Sequence, residues 1–174
     1  MKRMLVVVDM QNDFVDGALG TAEAASIVPA VVRKIENYPD DCIWVTRDTH
    51  QNDYLDTQEG EHLAVPHCIA GTKGWQIFPA VREALPRYVR IFDKPSFGSV
   101  ELARALAEEN AHEPIEVEFV GLCTDICVVS NALLAKAFSP EMPIRVDAAC
   151  CAGTTPERHE AALDTMRSCQ ILVS

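Results

Sequence analysis

Three residues far apart in the chain, Asp9, Lys94 and Cys127, could together carry out covalent catalysis. A cysteine supplies the nucleophile, a carboxylate takes its proton, and an ammonium steadies the charges that result. Cys127 stands at the end of Gly121-Leu122-Cys123-Thr124-Asp125-Ile126-Cys127, where Thr124 or Asp125 can cap the start of a helix. That places the thiol in a first turn, where exposed backbone N–H groups and the helix dipole favour a thiolate. The same N–H groups could hold the oxyanion of a tetrahedral intermediate. Taken singly, the three residues have plainer readings as a small buried hydrophobe, a turn residue and a solvated charge.

A second constellation could hold a metal. Asp48 and His50 are one residue apart, so on extended chain they face the same side. His67 follows in Val65-Pro66-His67-Cys68, with Glu59, Glu61 and His62 between. Two histidines and a carboxylate suffice for a divalent cation and leave positions open for water or substrate. Polar loops also collect such residues without a metal.

These residues must be positioned by regular elements. Short β-branched or apolar runs fall at 4–9, 42–46, 88–92, 115–121, 142–147 and 170–173. Helical patterns lie between them at about 24–38, 79–85, 100–109, 125–138 and 155–168. Several runs show little alternation, as expected of strands covered on both faces. Strand–helix alternation predicts right-handed crossovers and a mainly parallel α/β sheet with helices on both sides. The site of such a sheet lies beyond the carboxyl ends of its strands. Asp9, Lys94 and Cys127 all fall at or just after such ends. The connection from Arg47 to Trp75 carries no periodic pattern, and its content of ligand-type residues favours a functional loop.

Composition excludes several classes. The chain has 174 residues, the size of one domain spanning 1–174, with 48% hydrophobic and 24% charged residues. Fifteen Lys+Arg against 26 Asp+Glu give a net charge of −11, which disfavours nucleic acid and anionic membranes as partners. Seven scattered cysteines do not form a secreted disulfide framework. The apolar run at the N-terminus stops at Asp9, short of a signal peptide, and nothing approaches a membrane span. A reducing cytoplasm is the expected compartment.

Four segments in order, VVVDMQNDF at 6–14, D-x-H with the later PHCIAGTKG at 66–74, DKPSFGS at 93–99 and GLCTDICV at 121–128, resemble the isochorismatase-like cysteine hydrolases. The likeness is strongest to the nicotinamidase-related amidases and continues through VDAACCAGTTPERHEAALDTM at 147–166. It implies a doubly wound sheet of six parallel strands and an Asp9–Lys94–Cys127 triad. It also implies a non-proline cis peptide between Leu122 and Cys123, and an oxyanion site built from the N–H groups of Cys123 and Cys127. The implied cofactor is a divalent metal (zinc, iron or manganese) on Asp48, His50 and His67, with Glu59, Glu61 or His62 as a further ligand, and no organic cofactor. A small amide is the implied substrate, and a homo-oligomer the implied assembly. Where these amidases commonly place a tryptophan three residues before the metal histidine, this chain has Ala64. Phe14 and Phe97 remain as aromatic walls, with Trp75 as a further candidate.

The implied chemistry is cleavage of a C–N bond through a thioester, with nicotinamide or another small amide of carbamoyl or ureido type as substrate. Two other classes compete: a non-catalytic ligand-binding member of the fold, and thiol redox work by Cys123 and Cys127. Their four-residue spacing is not C-x-x-C. Isochorismatase proper needs no cysteine nucleophile, so GLCTDICV argues against it. Cys150 and Cys151 read as packing, Cys68 as a weak extra ligand, and His159 as a surface or interface residue on the last helix.

Overall fold

In the run MLVVV, side-chain alternation sends Met4, Val6 and Val8 to one side and Leu5 and Val7 to the other. All five are at most 1% exposed, because both faces of this strand are covered. The computed structural model describes residues 1–174. Six strands, β1 (Lys2–Val8), β2 (Ile43–Asp48), β3 (Arg90–Lys94), β4 (Ile115–Leu122), β5 (Ile144–Ala152) and β6 (Leu172–Val173), form one sheet. The order is β3-β2-β1-β4-β5-β6, and every pairing is parallel.

The helices are α1 (Asn12–Val15), α2 (Ala22–Glu36), α3 (Gln58–His62), α4 (Pro79–Ala84), α5 (Val100–His112), α6 (Val129–Phe138) and α7 (Pro156–Ser168). Helices α5, α6 and α7 bury Leu102, Leu106, Ala132, Leu163 and Met166 on the Met4/Val6/Val8 face. On the other face α2 and α4 bury Ile27, Val31, Ile35 and Val81. In α2 the buried positions Ala24, Ile27, Val28, Val31 and Ile35 trace one helical stripe, and the Thr21 hydroxyl accepts the Ala24 N–H at its start. Ser99 and Thr155 cap α5 and α7 in the same way. No helix is long and apolar enough to cross a membrane.

Two sequence expectations change. Residues 47–75 hold regular structure, a 3₁₀ turn at Tyr54–Asp56 and α3, where periodicity over so few residues gives no signal. The helix expected from Asp125 begins instead as a π-helical turn over Thr124–Val128, with α6 following. The Cys123 carbonyl accepts both the Ile126 and Val128 N–H groups there.

A polar network pins α2 to the sheet. Lys34 Nζ lies 3.2 Å from Glu118 Oε1 and 2.6 Å from Asp147 Oδ2, and Tyr38 donates to Glu118 Oε2 at 2.6 Å. Burial alone would push the Asp147 carboxyl up, but the hydrogen bond and charge of Lys34 hold it below the usual range. A carboxyl depressed by folding adds stability above its unfolded pKa of about 3.9 and loses it as pH falls through the folded value. Asp147→Asn is therefore expected to cost about 1–2 kcal/mol at pH 7. The gap from wild type should shrink below about pH 4. Urea melts at pH 7 and pH 3 check this, and an equal gap at both would refute the assignment.

Candidate active site

The strand order reverses between β1 and β4, and the candidate catalytic groups gather at that point. The chain leaves β1 at Asp9, which takes a φ of +47°. Opposite it Gly121 has a φ of +118°, and a Cβ there would strike the Val8 carbonyl oxygen, so only glycine lets β4 pass so close. Asp9 Oδ1 accepts from the Thr46 hydroxyl at 2.6 Å, and Oδ2 lies 2.7 Å from Lys94 Nζ. Lys94 is the last residue of β3 rather than the residue after it. Its ammonium is also 3.4 Å from Cys127 Sγ, 3.4 Å from Asp48 Oδ1 and 3.2 Å from the Ser96 carbonyl. Neither the Asp9 nor the Lys94 side chain is exposed at all.

Burial dominates the electrostatics. It raises the Asp9 carboxyl above its ordinary range, with Lys94 opposing and Asp48 reinforcing the shift. It also pushes the Cys127 thiol well up, and the Asp9 charge adds to this while Lys94 works against it. The helix-start argument for a thiolate thus gives the wrong sign for the chain alone. A first-turn dipole contributes up to about 2 kcal/mol at best, and a buried sulfur anion beside a carboxylate costs more. Both shifts thus favour the protonated forms, and burial is the first cause of each. The Cys123 thiol, also buried, is pushed up to about 12.

The peptide bond between Leu122 and Cys123 is cis. The Cys123 N–H has no acceptor within the chain. Above Cys127 a cavity of about 50 Å³ is lined by Phe14, Leu19, Leu63, Phe97, Cys123 and Ile126, with Asp48, Glu59 and His67 at one side. Leu63 lines this cavity, whereas Ala64 is exposed. Trp75 is not a wall of it. Its indole N–H donates to Thr49 Oγ1 at 2.9 Å, and the Arg47 guanidinium stacks 3.7 Å from its ring centre. A larger open cleft of about 470 Å³ lies between the Thr124–Val128 turn and α7, and no cysteine or metal-type cluster lines it.

Asp48, His50, Glu59 and His67 each point one donor atom into a common space, all within 4.8 Å of one another. His50 Nε2–Glu59 Oε1, His67 Nε2–Glu59 Oε1 and His67 Nε2–Asp48 Oδ2 measure 3.6, 3.6 and 3.5 Å. Ligands about 2.0–2.1 Å from a tetrahedral ion stand roughly 3.4 Å apart, so these three separations fit one, while His50 Nε2 and Asp48 Oδ2, now hydrogen-bonded at 2.9 Å, would part slightly to admit it. His67 Nδ1 is tied to the Val65 carbonyl at 2.9 Å, which leaves Nε2 for a ligand. Burial works against ionised Asp48, yet hydrogen bonds from His50 and His67 and the charge of Lys94 hold it far below the usual range. Asp9, Asp48 and Glu59, when ionised, outnumber the single ammonium, and a divalent cation balances that excess. The residues present therefore fit such an ion. Glu61 and His62 are exposed and outside the cluster, and the His62 ring instead meets the Gln58 carbonyl. Cys68 is also outside it; its backbone N–H donates to Asp13 Oδ2 at 2.8 Å.

Several supporting residues carry no clear signal in the sequence. Tyr54, 1% exposed, sets its ring edge-on to His50 and His67 at 4.8 and 5.1 Å, and its hydroxyl donates to the Leu63 carbonyl. Gln11 accepts the Asp48 N–H at 2.7 Å and donates to the Asp48 and Trp75 carbonyls at 2.8 and 2.9 Å. Gln11 and Asp13 belong to the DMQNDF segment, which was the one available pointer. Thr124 and Asp125 do not cap a helix. The Asp125 carboxylate accepts from Thr154, and Thr124 meets His159, which is half-buried. Cys150 and Cys151 are buried in the packing as expected.

The structure is thus a doubly wound parallel sheet with a buried Asp–Lys–Cys set at its switch point, beside a His₂/carboxylate cluster. Residues 3–174 match the family model described as Isochorismatase domain, and the chain belongs to that family. It is 26% identical over 183 residues to a nicotinamidase/pyrazinamidase of Mycobacterium tuberculosis, covering 97% of this chain and 96% of that one. To a nicotinamidase of Schizosaccharomyces pombe it is 27% identical, covering 97% and 91%. Among solved structures, a pyrazinamidase of Pyrococcus horikoshii in complex with zinc superposes with a TM-score of 0.82 at 27% identity, covering 100% of this chain and 99% of that one.

Two outcomes follow from this geometry. Lys94→Met leaves Asp9 buried without its cation and should lower stability by about 3–5 kcal/mol in urea melts. An unchanged midpoint would contradict the pairing. Zinc titrated into metal-free protein should bind at least about tenfold more weakly to Glu59→Gln, with Glu61→Gln at the wild-type value. Equal affinities for the two variants would remove Glu59 from the set.

Proposed function

We propose that this chain hydrolyses the C–N bond of a small neutral amide, nicotinamide being the first substrate to test, through a thioester on Cys127. One observation carries the reading: Lys94 lies 2.7 Å from Asp9 and 3.4 Å from Cys127, and Cys127 in turn lines a small, mainly apolar cavity. The names of the relatives, nicotinamidase and pyrazinamidase, support it.

The Cys127 thiol gives its proton to Asp9 as sulfur attacks the amide carbon. The carbonyl electron pair moves onto oxygen, which the Cys123 and Cys127 N–H groups receive. Asp9 hands the proton to nitrogen, the C–N bond breaks and ammonia leaves. Asp9 then takes a proton from water, which attacks the thioester, and that proton returns to sulfur as the acid departs. Lys94 remains charged throughout; burial would lower it, but Asp9 first, then Cys127 and Asp48, hold its proton on. Asp48, His50, Glu59 and His67 would hold a divalent cation, of the zinc, iron or manganese class, which supplies Lewis acidity beside the substrate when bound.

The cavity is far smaller than the roughly 300–1,000 Å³ of drug-sized sites, so a compact molecule is favoured over a polymer. Its lining includes no lysine or arginine, so the carboxylate of a carbamoyl or ureido acid finds no cation there. That favours an uncharged amide. Phe14, Leu63 and Phe97 serve as walls for a flat ring in place of the tryptophan that Ala64 replaces.

We also read residues 1–174 as a single domain working as a homo-oligomer in the cytoplasm. The match of the family model to residues 3–174 supports the first, and seven unpaired cysteines support a reducing compartment. The excess of acidic residues, 26 against 15 basic ones, supports a protein without nucleic-acid or membrane partners.

Purified protein should release ammonia from nicotinamide, and Cys127→Ala should be slower by at least about 10⁴-fold. Substantial turnover by the variant would refute the nucleophile. An active wild type that ignores nicotinamide but cleaves another uncharged amide would reassign the substrate alone.

A further inference from the structure

The turn carrying the thiol is gripped from behind by the β5–α7 connection and the first turn of α7. Thr124 is fully buried, and its hydroxyl lies 2.7 Å from His159 Nδ1. The next residue, Asp125, accepts the Thr154 N–H at 2.8 Å and the Thr154 hydroxyl at 2.6 Å. Two consecutive residues between Cys123 and Cys127 are thus tied to the β5–α7 connection, through Thr154, and to the first turn of α7, through His159. Gly153 makes the close approach possible: a Cβ there would stand 2.8 Å from the His159 backbone nitrogen. Cys123, Ile126 and Cys127 line the cavity, whereas Thr124, Thr154 and His159 do not. The segment therefore presents Cys123, Ile126 and Cys127 to the cavity and the intervening Thr124 and Asp125 to its support.

We propose that His159 is a positioning residue for the hydrolysis, acting through Thr124 on the N–H groups of Cys123 and Cys127. The inference rests on the thioester reading above. A buried hydroxyl deprived of its partner must find another, and the nearest way is for the Thr124–Val128 turn to shift. The N–H groups on either side of Thr124 then move with it. Misplacement by about 1 Å costs on the order of 10²-fold in rate, and oxyanion donors act on the transition state more than on bound substrate. The defect belongs in kcat, with KM nearly untouched, because neither residue reaches the cavity.

The test compares wild type, His159→Leu, His159→Asn, Thr124→Val and the double variant His159→Leu/Thr124→Val in steady-state hydrolysis of nicotinamide. His159→Leu should lose about tenfold or more in kcat, with KM within about twofold. Asparagine places a polar atom close to the position of Nδ1 and should recover most of the rate. The double variant should be no worse than the poorer single one, since both break the same link. Wild-type kcat in His159→Leu, equal losses with leucine and asparagine, or additive losses in the double variant would overturn the proposal. Should wild type leave nicotinamide intact, the substrate reading falls separately. The link is then read from thiohemiacetal formation between Cys127 and pyridine-3-carboxaldehyde. In that adduct sulfur bonds to the aldehyde carbon and the thiol proton ends on oxygen. Weaker adduct formation in His159→Leu supports the link, and equal affinity refutes it.

Discussion

An ammonium group shut off from solvent holds the carboxyl end of the sheet together. Moving a bare ammonium from water into a dry interior costs on the order of 20 kcal/mol in the idealised limit. Lys94 is tolerable there because Asp9 and Asp48 approach it from the ends of two neighbouring strands. The same ammonium lies against Cys127, so one buried charge ties the candidate nucleophile, its proton acceptor and the metal-type cluster. Displacing any of these residues also alters the solvation of the others. The strand ends β1, β2 and β3 and the turn after β4 are consequently held to one geometry.

Much of this organisation is legible in the residues. The unbroken run Met4–Val8 announces a strand covered on both faces, and the recurrence of such runs announces a parallel sheet. Asp9, Lys94 and Cys127 are legible because each falls at or beside a run's end. Other features are not legible, for physical reasons. A π-helical turn and an α-helical turn differ by one residue of hydrogen-bond spacing, which leaves little trace in five residues such as TDICV. Choosing among Glu59, Glu61 and His62 requires knowing that Gln58–His62 is a helix, on which positions two apart point in different directions. Loop residues such as Tyr54 act through contacts between segments remote in sequence, which spacing does not record.

The electrostatic outcome shows why proximity arguments need magnitudes. A nearby cation and a helix start both favour a thiolate, and both are present at Cys127. Complete burial and the adjacent Asp9 carboxylate work the other way and push the Cys127 thiol up, while burial raises the Asp9 carboxyl as well. The cavity beside Cys127 is lined by Phe14, which is buried, and by Leu63 and Phe97, which remain 39% and 45% exposed.

Gln11 stands where the main chain of β1 has already turned away, yet its amide meets both the N–H and the carbonyl of Asp48. A side chain thus impersonates one more residue of the parallel ladder. The imitation works only for a group that donates and accepts at once in a flat geometry. Glutamate, although nearly the same shape, would bring a second acceptor against the Asp48 and Trp75 carbonyls, and leucine would leave three buried backbone groups unmet. The alignment of β1 with β2 beyond the strand ends therefore rests on one amide that takes no part in the chemistry.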